Sequence, residues 1–130
     1  MRAIDTNLVV RFLMNDDPIQ AKKARTTVGG GKVFISTTVL LETEWVLRRG
    51  YGMKPADLRL ALRRLAGLRA VRLEDPELVA QALDRLDEGM DFADALHLGR
   101  AANCEAFITF DKALIRIAAG KTDLPVQEPA

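Results

Sequence analysis

The sequence predicts an α/β fold, a three-layer α/β/α sandwich with a mainly parallel central sheet. Short apolar, β-rich stretches alternate with helical patterns along the 130 residues, and most strands run directly into a helix. Helices covering both faces of a parallel sheet are the usual outcome of such alternation. Apolar residues make up 48% of the chain, which is enough for a sizeable core. We expect one domain over residues 1–130.

The N-terminal stretch predicts a strand followed at once by a helix. Residues Met1–Ile4 are mostly apolar, Asp5 ends them, and a helical pattern begins at Leu8. An acid at the carboxyl end of a strand lies near the crevice where open α/β sheets bind ligands. A second helix is expected over Ile19–Val28, with Asp17 as its cap.

The next strand and helix carry a glutamate of interest. Lys32–Ser36 is β-rich, and we expect Thr37 or Thr38 to cap a helix over Val39–Arg49. Glu42 and Glu44 of this helix point to nearly opposite sides, so at most one of them can face a shared site.

The second half of the chain continues the alternation. Right-handed crossovers would place its strand-to-helix junctions at the same edge of the sheet as the first. The expected helices are Pro55–Ala66, Pro76–Glu88, Met90–Asn103 and Lys112–Ala119, and the expected strands are Ala70–Leu73 and Ala106–Phe110, with a short edge strand in the tail after Lys121.

Composition excludes several classes of protein. The single cysteine, Cys104, rules out an intrachain disulfide and a Cys-rich metal site, and we expect it to be a small buried residue. No apolar run approaches the about 20 residues of a membrane span. Asp5 and Arg11 interrupt the N-terminal apolar stretch, unlike a signal peptide. These features predict a cytoplasmic protein.

The net charge of +1 conceals two oppositely charged segments. Residues 54–72 contain six basic side chains and one acid, whereas residues 74–94 contain eight acids and one arginine. Such blocks suit a protein that holds cations in one place and polyanions in another, and solvated helix faces explain them equally well.

In four separate segments an acidic residue lies at the end of a strand or within about one turn of the start of a helix. Two carboxylates about 4 Å apart repel by roughly 4 kcal/mol at an effective dielectric constant of about 20, so a cluster needs protons or a cation. Oxygen ligands without cysteine or histidine favour Mg²⁺ or Mn²⁺, which promote phosphodiester hydrolysis. Taken singly, each acid is equally well explained as a helix cap or an exposed residue. The four acids are Asp5, Glu42, Asp94 and Asp111.

These motifs resemble the four acidic signatures of PIN-domain ribonucleases, in particular VapC-type toxins of VapBC toxin–antitoxin modules. The resemblance rests on Ile4–Asn7, Glu42, Asp94–His97 and Ile108–Asp111. It implies a PIN-like α/β/α sandwich, a magnesium-dependent endoribonuclease (manganese being the alternative), a homodimer, and a small DNA-binding antitoxin that blocks the active site.

The resemblance also implies a role for each motif residue. Asp5, Glu42, Asp94 and Asp111 become the catalytic, metal-binding acids. Asn7 matches the polar residue beside the first acid, Thr109 the hydroxyl residue that orients the cluster, and Asp91 either a supporting acid or a helix cap. Basic candidates for contacts with RNA phosphates are Arg48, Arg49 and Lys112.

Two other functions remain open from the sequence. A metal-dependent phosphohydrolase acting on small phosphate esters would usually carry a second aspartate two residues after the first, where this chain has Asn7. A non-catalytic PIN-like scaffold that binds RNA or a partner would have no need of all four acids.

Overall fold

The computed structural model describes residues 1–130, which form two compact units, residues 1–76 and residues 77–130. No helix in it combines the length and the apolar character that a membrane crossing requires.

The N-terminal unit contains a three-stranded parallel sheet in the order β1-β2-β3. Arg2 lies opposite Val33, which in turn lies opposite Val71. The Ile4 N–H extends the ladder by donating to the carbonyl of Phe34 at 3.0 Å. The strands are β1 (Arg2–Ala3), β2 (Val33–Ile35) and β3 (Val71–Leu73).

The N-terminal unit also contains four α-helices. Helix α1 packs against both α2 and α3, and α4 packs against β3. Apolar residues at helical spacing produce the buried faces, and on α4 these residues are Leu58, Leu62 and Leu65. The helices are α1 (Thr6–Leu13), α2 (Pro18–Gly29), α3 (Thr37–Trp45) and α4 (Pro55–Ala66).

Helix α3 differs from its prediction at both ends. Its cap is Ser36, whose Oγ accepts the Val39 N–H at 3.2 Å, because the preceding strand ends one residue early, at Ile35. The α-helical part ends at Trp45 and passes into a π-helical turn, Val46–Gly50. There the backbone bonds reach back five residues, as in many functional or strained helices.

The C-terminal unit contains three helices and a two-stranded parallel sheet. Phe107 of β4 lies opposite Val126 of β5, so the expected edge strand of the tail is present. The elements are α5 (Pro76–Asp87, beginning at the last residue of the N-terminal unit), α6 (Phe92–Arg100), β4 (Phe107–Ile108), α7 (Lys112–Ala118) and β5 (Val126–Gln127).

The segment after α6 corrects two expectations. The helix ends at Arg100 instead of Asn103, because the Ala101 N–H is shared between the carbonyls of His97 and Leu98 and tightens the last turn. Cys104 lies in the turn that follows and is exposed, so the expectation that it is buried was wrong.

The predicted α/β class with parallel strands is confirmed. The five strands lie in two sheets, one in each unit. The assignment of residues 1–130 to a single domain stays a prediction.

Candidate functional site

Asp5 joins the end of β1 to the start of α1. Its backbone is extended, and its Oδ1 accepts the N–H of Thr6 at 2.7 Å, which makes it the N-cap of the helix. The carboxylate therefore has one fixed oxygen, while the residue remains exposed. Asn7, in the first turn of the same helix, is also exposed.

Thr6 supplies an oxygen without a partner beside this carboxylate. The residue is 4% exposed, and its Oγ1 is buried and forms no hydrogen bond within the protein. Leaving a buried hydroxyl unpaired is unfavourable, so such atoms in proteins usually meet water or an ion. The carboxyl end of β1 thus carries a carboxylate and an unsatisfied hydroxyl, both hard oxygen donors.

The two glutamates of α3 have different environments in the structure. Glu42 is exposed, whereas Glu44 is 2% exposed and forms an ion pair in which Arg48 Nε lies 3.1 Å from its Oε2. Only Glu42 is therefore accessible to a ligand, which agrees with the expectation that the two residues point to different sides. Because β1 and β2 are parallel neighbours, Asp5 and the start of α3 lie at the same edge of their sheet.

The ion pair between buried Glu44 and partly exposed Arg48 was not among our predictions, although the sequence contains a signal for it. Leu40, Thr43, Glu44 and Leu47 follow the spacing of one helix face, and all four are buried. A glutamate on such a face with an arginine four residues later predicts an internal pair. Arg48 is thus partly committed within the protein, whereas Arg49 is exposed.

In the C-terminal unit, Asp91 holds the start of α6. Its Oδ2 accepts the backbone N–H of Asp94 at 3.2 Å, which makes Asp91 the N-cap. This contact places Asp94 in the first turn, where the helix dipole favours a negative charge. Of the two roles considered for Asp91, the structure shows the helix cap.

Asp94 has an environment that disfavours its charge. Partial burial, followed by the negative charges of Asp91 and Asp111, raises the pKa of the Asp94 carboxyl group, while His97 opposes this shift. The charges of Asp91 and Asp111 are therefore close enough to Asp94 to affect its ionisation. His97 itself is exposed, on the helix that carries Asp94.

Asp111 links β4 to α7 in the same way that Asp5 links β1 to α1. Its Oδ1 accepts the N–H of Leu114 at 3.0 Å and caps α7, while its own N–H donates to Thr109 Oγ1 at 3.0 Å. Thr109 thus fixes the backbone at the acid. The neighbouring Lys112 is exposed.

The predicted ligand atoms are oxygens, which hard divalent cations prefer. The predicted ligands offer carboxylate oxygens only. Partial burial, followed by the charges of Asp91 and Asp111, raises the pKa of Asp94, and a nearby cation would favour its ionised form. Within neither unit do three or more His, Cys, Asp or Glu side chains form a group that could hold a metal. Asp5 and Glu42 lie in residues 1–76, and Asp91, Asp94 and Asp111 in residues 77–130.

Comparison with known proteins gives a family match. The sequence profile of the PIN domain matches residues 3–120. The structure is similar to that of the Mycobacterium tuberculosis toxin VapC20, which cleaves the sarcin–ricin loop. The identity is 22%, the TM-score is 0.45, and the match covers 92% of this chain and 95% of that chain. No curated protein matches the sequence.

Proposed function

The chain belongs to the PIN domain family, and on that premise we propose that it is an endoribonuclease, the toxin of a type II toxin–antitoxin pair. The observation that carries the proposal is the environment of Asp94 in residues 77–130, where partial burial, followed by the negative charges of Asp91 and Asp111, raises the pKa of its carboxyl group. A partly buried carboxyl group that faces two like charges is unfavourable for stability, so a functional role explains the arrangement better than capping alone.

The catalytic carboxylates of this proposal are Asp5, Glu42, Asp94 and Asp111. Their exposure or partial exposure leaves them accessible to a substrate, and the resemblance of their motifs to PIN ribonucleases supports the assignment. Bound by these acids, Mg²⁺ (or Mn²⁺) would polarise a phosphoryl oxygen and lower the pKa of water for attack on the phosphodiester.

The residues around these acids have positioning roles. Thr109 orients the backbone of Asp111, and Asp91 fixes the first turn of the helix that carries Asp94. The Thr6 N–H holds one oxygen of Asp5, so the other oxygen remains available for a ligand. Asn7 is exposed beside Asp5, where its amide can reach a substrate.

Basic residues hold the RNA backbone in this mechanism. Arg49 and Lys112 are exposed, and each can contribute a phosphate contact. Arg48 is the weaker candidate, because its guanidinium already pairs with the buried carboxylate of Glu44.

The proposal includes a cytoplasmic homodimer and a small DNA-binding antitoxin that blocks the acidic site. Support for these partners comes from the resemblance to VapC toxins alone. Light scattering of the purified protein would measure its oligomeric state. A short neighbouring reading frame encoding a DNA-binding protein, co-purifying with this chain and inhibiting it, would identify the antitoxin.

Asp5→Asn tests the catalytic assignment. Asparagine caps a helix as well as aspartate does, so the fold should be retained while one negative charge is lost. We expect RNA cleavage in the presence of Mg²⁺ to fall at least about a hundredfold, measured on labelled RNA fragments. Asp17→Asn, which changes the cap of α2, is the matched control and should cleave at the wild-type rate. Unaltered cleavage by Asp5→Asn would contradict the assignment.

Assays of phosphate monoester hydrolysis, RNA cleavage and RNA binding on the same protein preparations distinguish a ribonuclease from the two alternative functions. Rapid hydrolysis of a small phosphate monoester without RNA cleavage would instead indicate a phosphohydrolase. RNA binding without hydrolysis of either substrate would indicate a non-catalytic scaffold.

A further inference from the structure

Phe110 is an apolar side chain that the fold leaves in solvent. It is 82% exposed, more than any other large apolar residue of the chain, and it lies directly before Asp111. Burying a phenyl ring is normally among the most favourable contributions to folding. A ring left in water at this position therefore suggests contact with a ligand.

The backbone holds Phe110 in place from both sides. Thr109 Oγ1 accepts the N–H of Asp111 at 3.0 Å, closing a short turn around the phenylalanine. Asp111 in turn caps α7 through the N–H of Leu114. The ring is thus attached to a pinned segment, and little backbone entropy is lost when it contacts a ligand.

The charges that flank the ring narrow the choice of ligand. A carboxylate, Asp111, and an exposed ammonium, Lys112, follow it directly. An apolar protein surface broad enough to cover the ring and these two neighbours would remove both charges from water, which is costly. A nucleobase stacked on the ring would leave them hydrated and place its phosphate within reach of the lysine.

We propose that Phe110 is a stacking platform for an unpaired RNA base beside the scissile phosphate. This inference rests on the proposed ribonuclease function and adds a substrate contact to it. Stacking on an aromatic ring tolerates any base, so Phe110 contributes affinity and register at the cleavage site and does not select one base. The substrate it requires is RNA with an unpaired nucleotide at that position, as in a loop.

The first test measures binding of a single-stranded RNA by fluorescence anisotropy in EDTA, where hydrolysis does not interfere. Phe110→Ala should weaken binding about tenfold to a hundredfold, the range for loss of one stacked base. Phe110→Trp should restore it. Trp45→Ala, which removes a 56% exposed aromatic ring from α3, is the control and should bind as the wild type does.

The second test uses RNAs in which one nucleotide at a time is abasic. On the RNA that lacks the contacted base, the wild type and Phe110→Ala should bind equally, whereas on the other RNAs the difference should persist. The proposal would be overturned if both proteins bound intact RNA equally. It would also be overturned if Phe110→Ala bound every abasic RNA more weakly than the wild type by the same factor. RNA that is bound through Phe110 but never cleaved would contradict the ribonuclease function alone.

Discussion

At the scale of single residues, the ionisation of Asp94 is subject to opposing electrostatic effects. Its place in the first turn of α6 favours the carboxylate, because the N-terminus of a helix carries a partial positive charge. Burial and the charges of Asp91 and Asp111 favour the neutral acid, and the raised pKa shows that they prevail. The ionised residue thus lowers the stability of the folded protein.

Asp94→Asn should therefore stabilise the protein near neutral pH while abolishing RNA cleavage. A raised folded-state pKa means that Asp94 favours folding fully below the unfolded value of 3.8, and that this contribution is lost as the pH rises through the folded pKa. Asparagine does not ionise and avoids that loss. We expect a Tm at pH 7 about 1–4 °C above the wild type, measured by calorimetry.

Below pH 4 the two proteins should have nearly equal Tm values. Asp123→Asn, at an exposed position, is a control for the removal of one acid from the same unit. If Asp94→Asn had a lower Tm than the wild type at pH 7, the helix dipole would stabilise the ionised carboxylate by more than burial and charge repulsion destabilise it, and the prediction would be wrong.

At the scale of secondary-structure elements, several acids of the proposed site also begin helices. Asp5 caps α1, Asp91 caps α6 and Asp111 caps α7, each by accepting a backbone N–H of the first turn. The carboxylate that stabilises a helix is therefore the one that we assign to catalysis or to its support. The two roles need different chemistry, because a cap requires an oxygen acceptor and the site requires a negative charge.

Substitutions of Asp111 can separate these roles. Asp111→Asn should keep the cap of α7 and lose RNA cleavage, whereas Asp111→Ala should lose both, with about 1 kcal/mol of destabilisation. Urea unfolding would measure the stability and labelled RNA the cleavage. Full activity in Asp111→Asn would show that the residue acts as a cap alone.

At the scale of the whole molecule, the distribution of charge affects both the stability of the fold and the proposed binding of a metal ion. The chain is nearly neutral, yet its acids and bases are strongly segregated along the sequence. Within residues 77–130 the ionised carboxylate of Asp94 opposes folding, because burial and the charges of Asp91 and Asp111 disfavour it. A cation that binds the folded protein alone should favour the folded state by mass action. Stability should consequently report on the metal without any measurement of activity.

Mg²⁺ or Mn²⁺ should raise the Tm of the wild-type protein relative to EDTA. At a concentration ten times the dissociation constant, the expected gain is about 1.4 kcal/mol, or about 3–6 °C. Differential scanning fluorimetry across a metal titration would measure it, with Na⁺ at equal ionic strength as the control. Asp94→Asn should show a smaller shift than the wild type, and no shift in the wild type would argue against a bound divalent ion.

The sequence by itself determined the features that depend on contacts within a few residues. The caps at Asp17, Asp91 and Asp111 and the apolar stripe of α4 could all be predicted, because a cap contacts residues two or three positions away and a stripe follows from helical spacing. The motif acids were found in the same local way, as residues at strand ends and helix starts.

Only the tertiary structure decided which residues are buried and which remain exposed. It buried Glu44, left Glu42 in solvent, and left Cys104 and Phe110 exposed. The physical reason is that burial depends on segments far apart in the chain, whose approach is governed by packing of the core and not by local propensity.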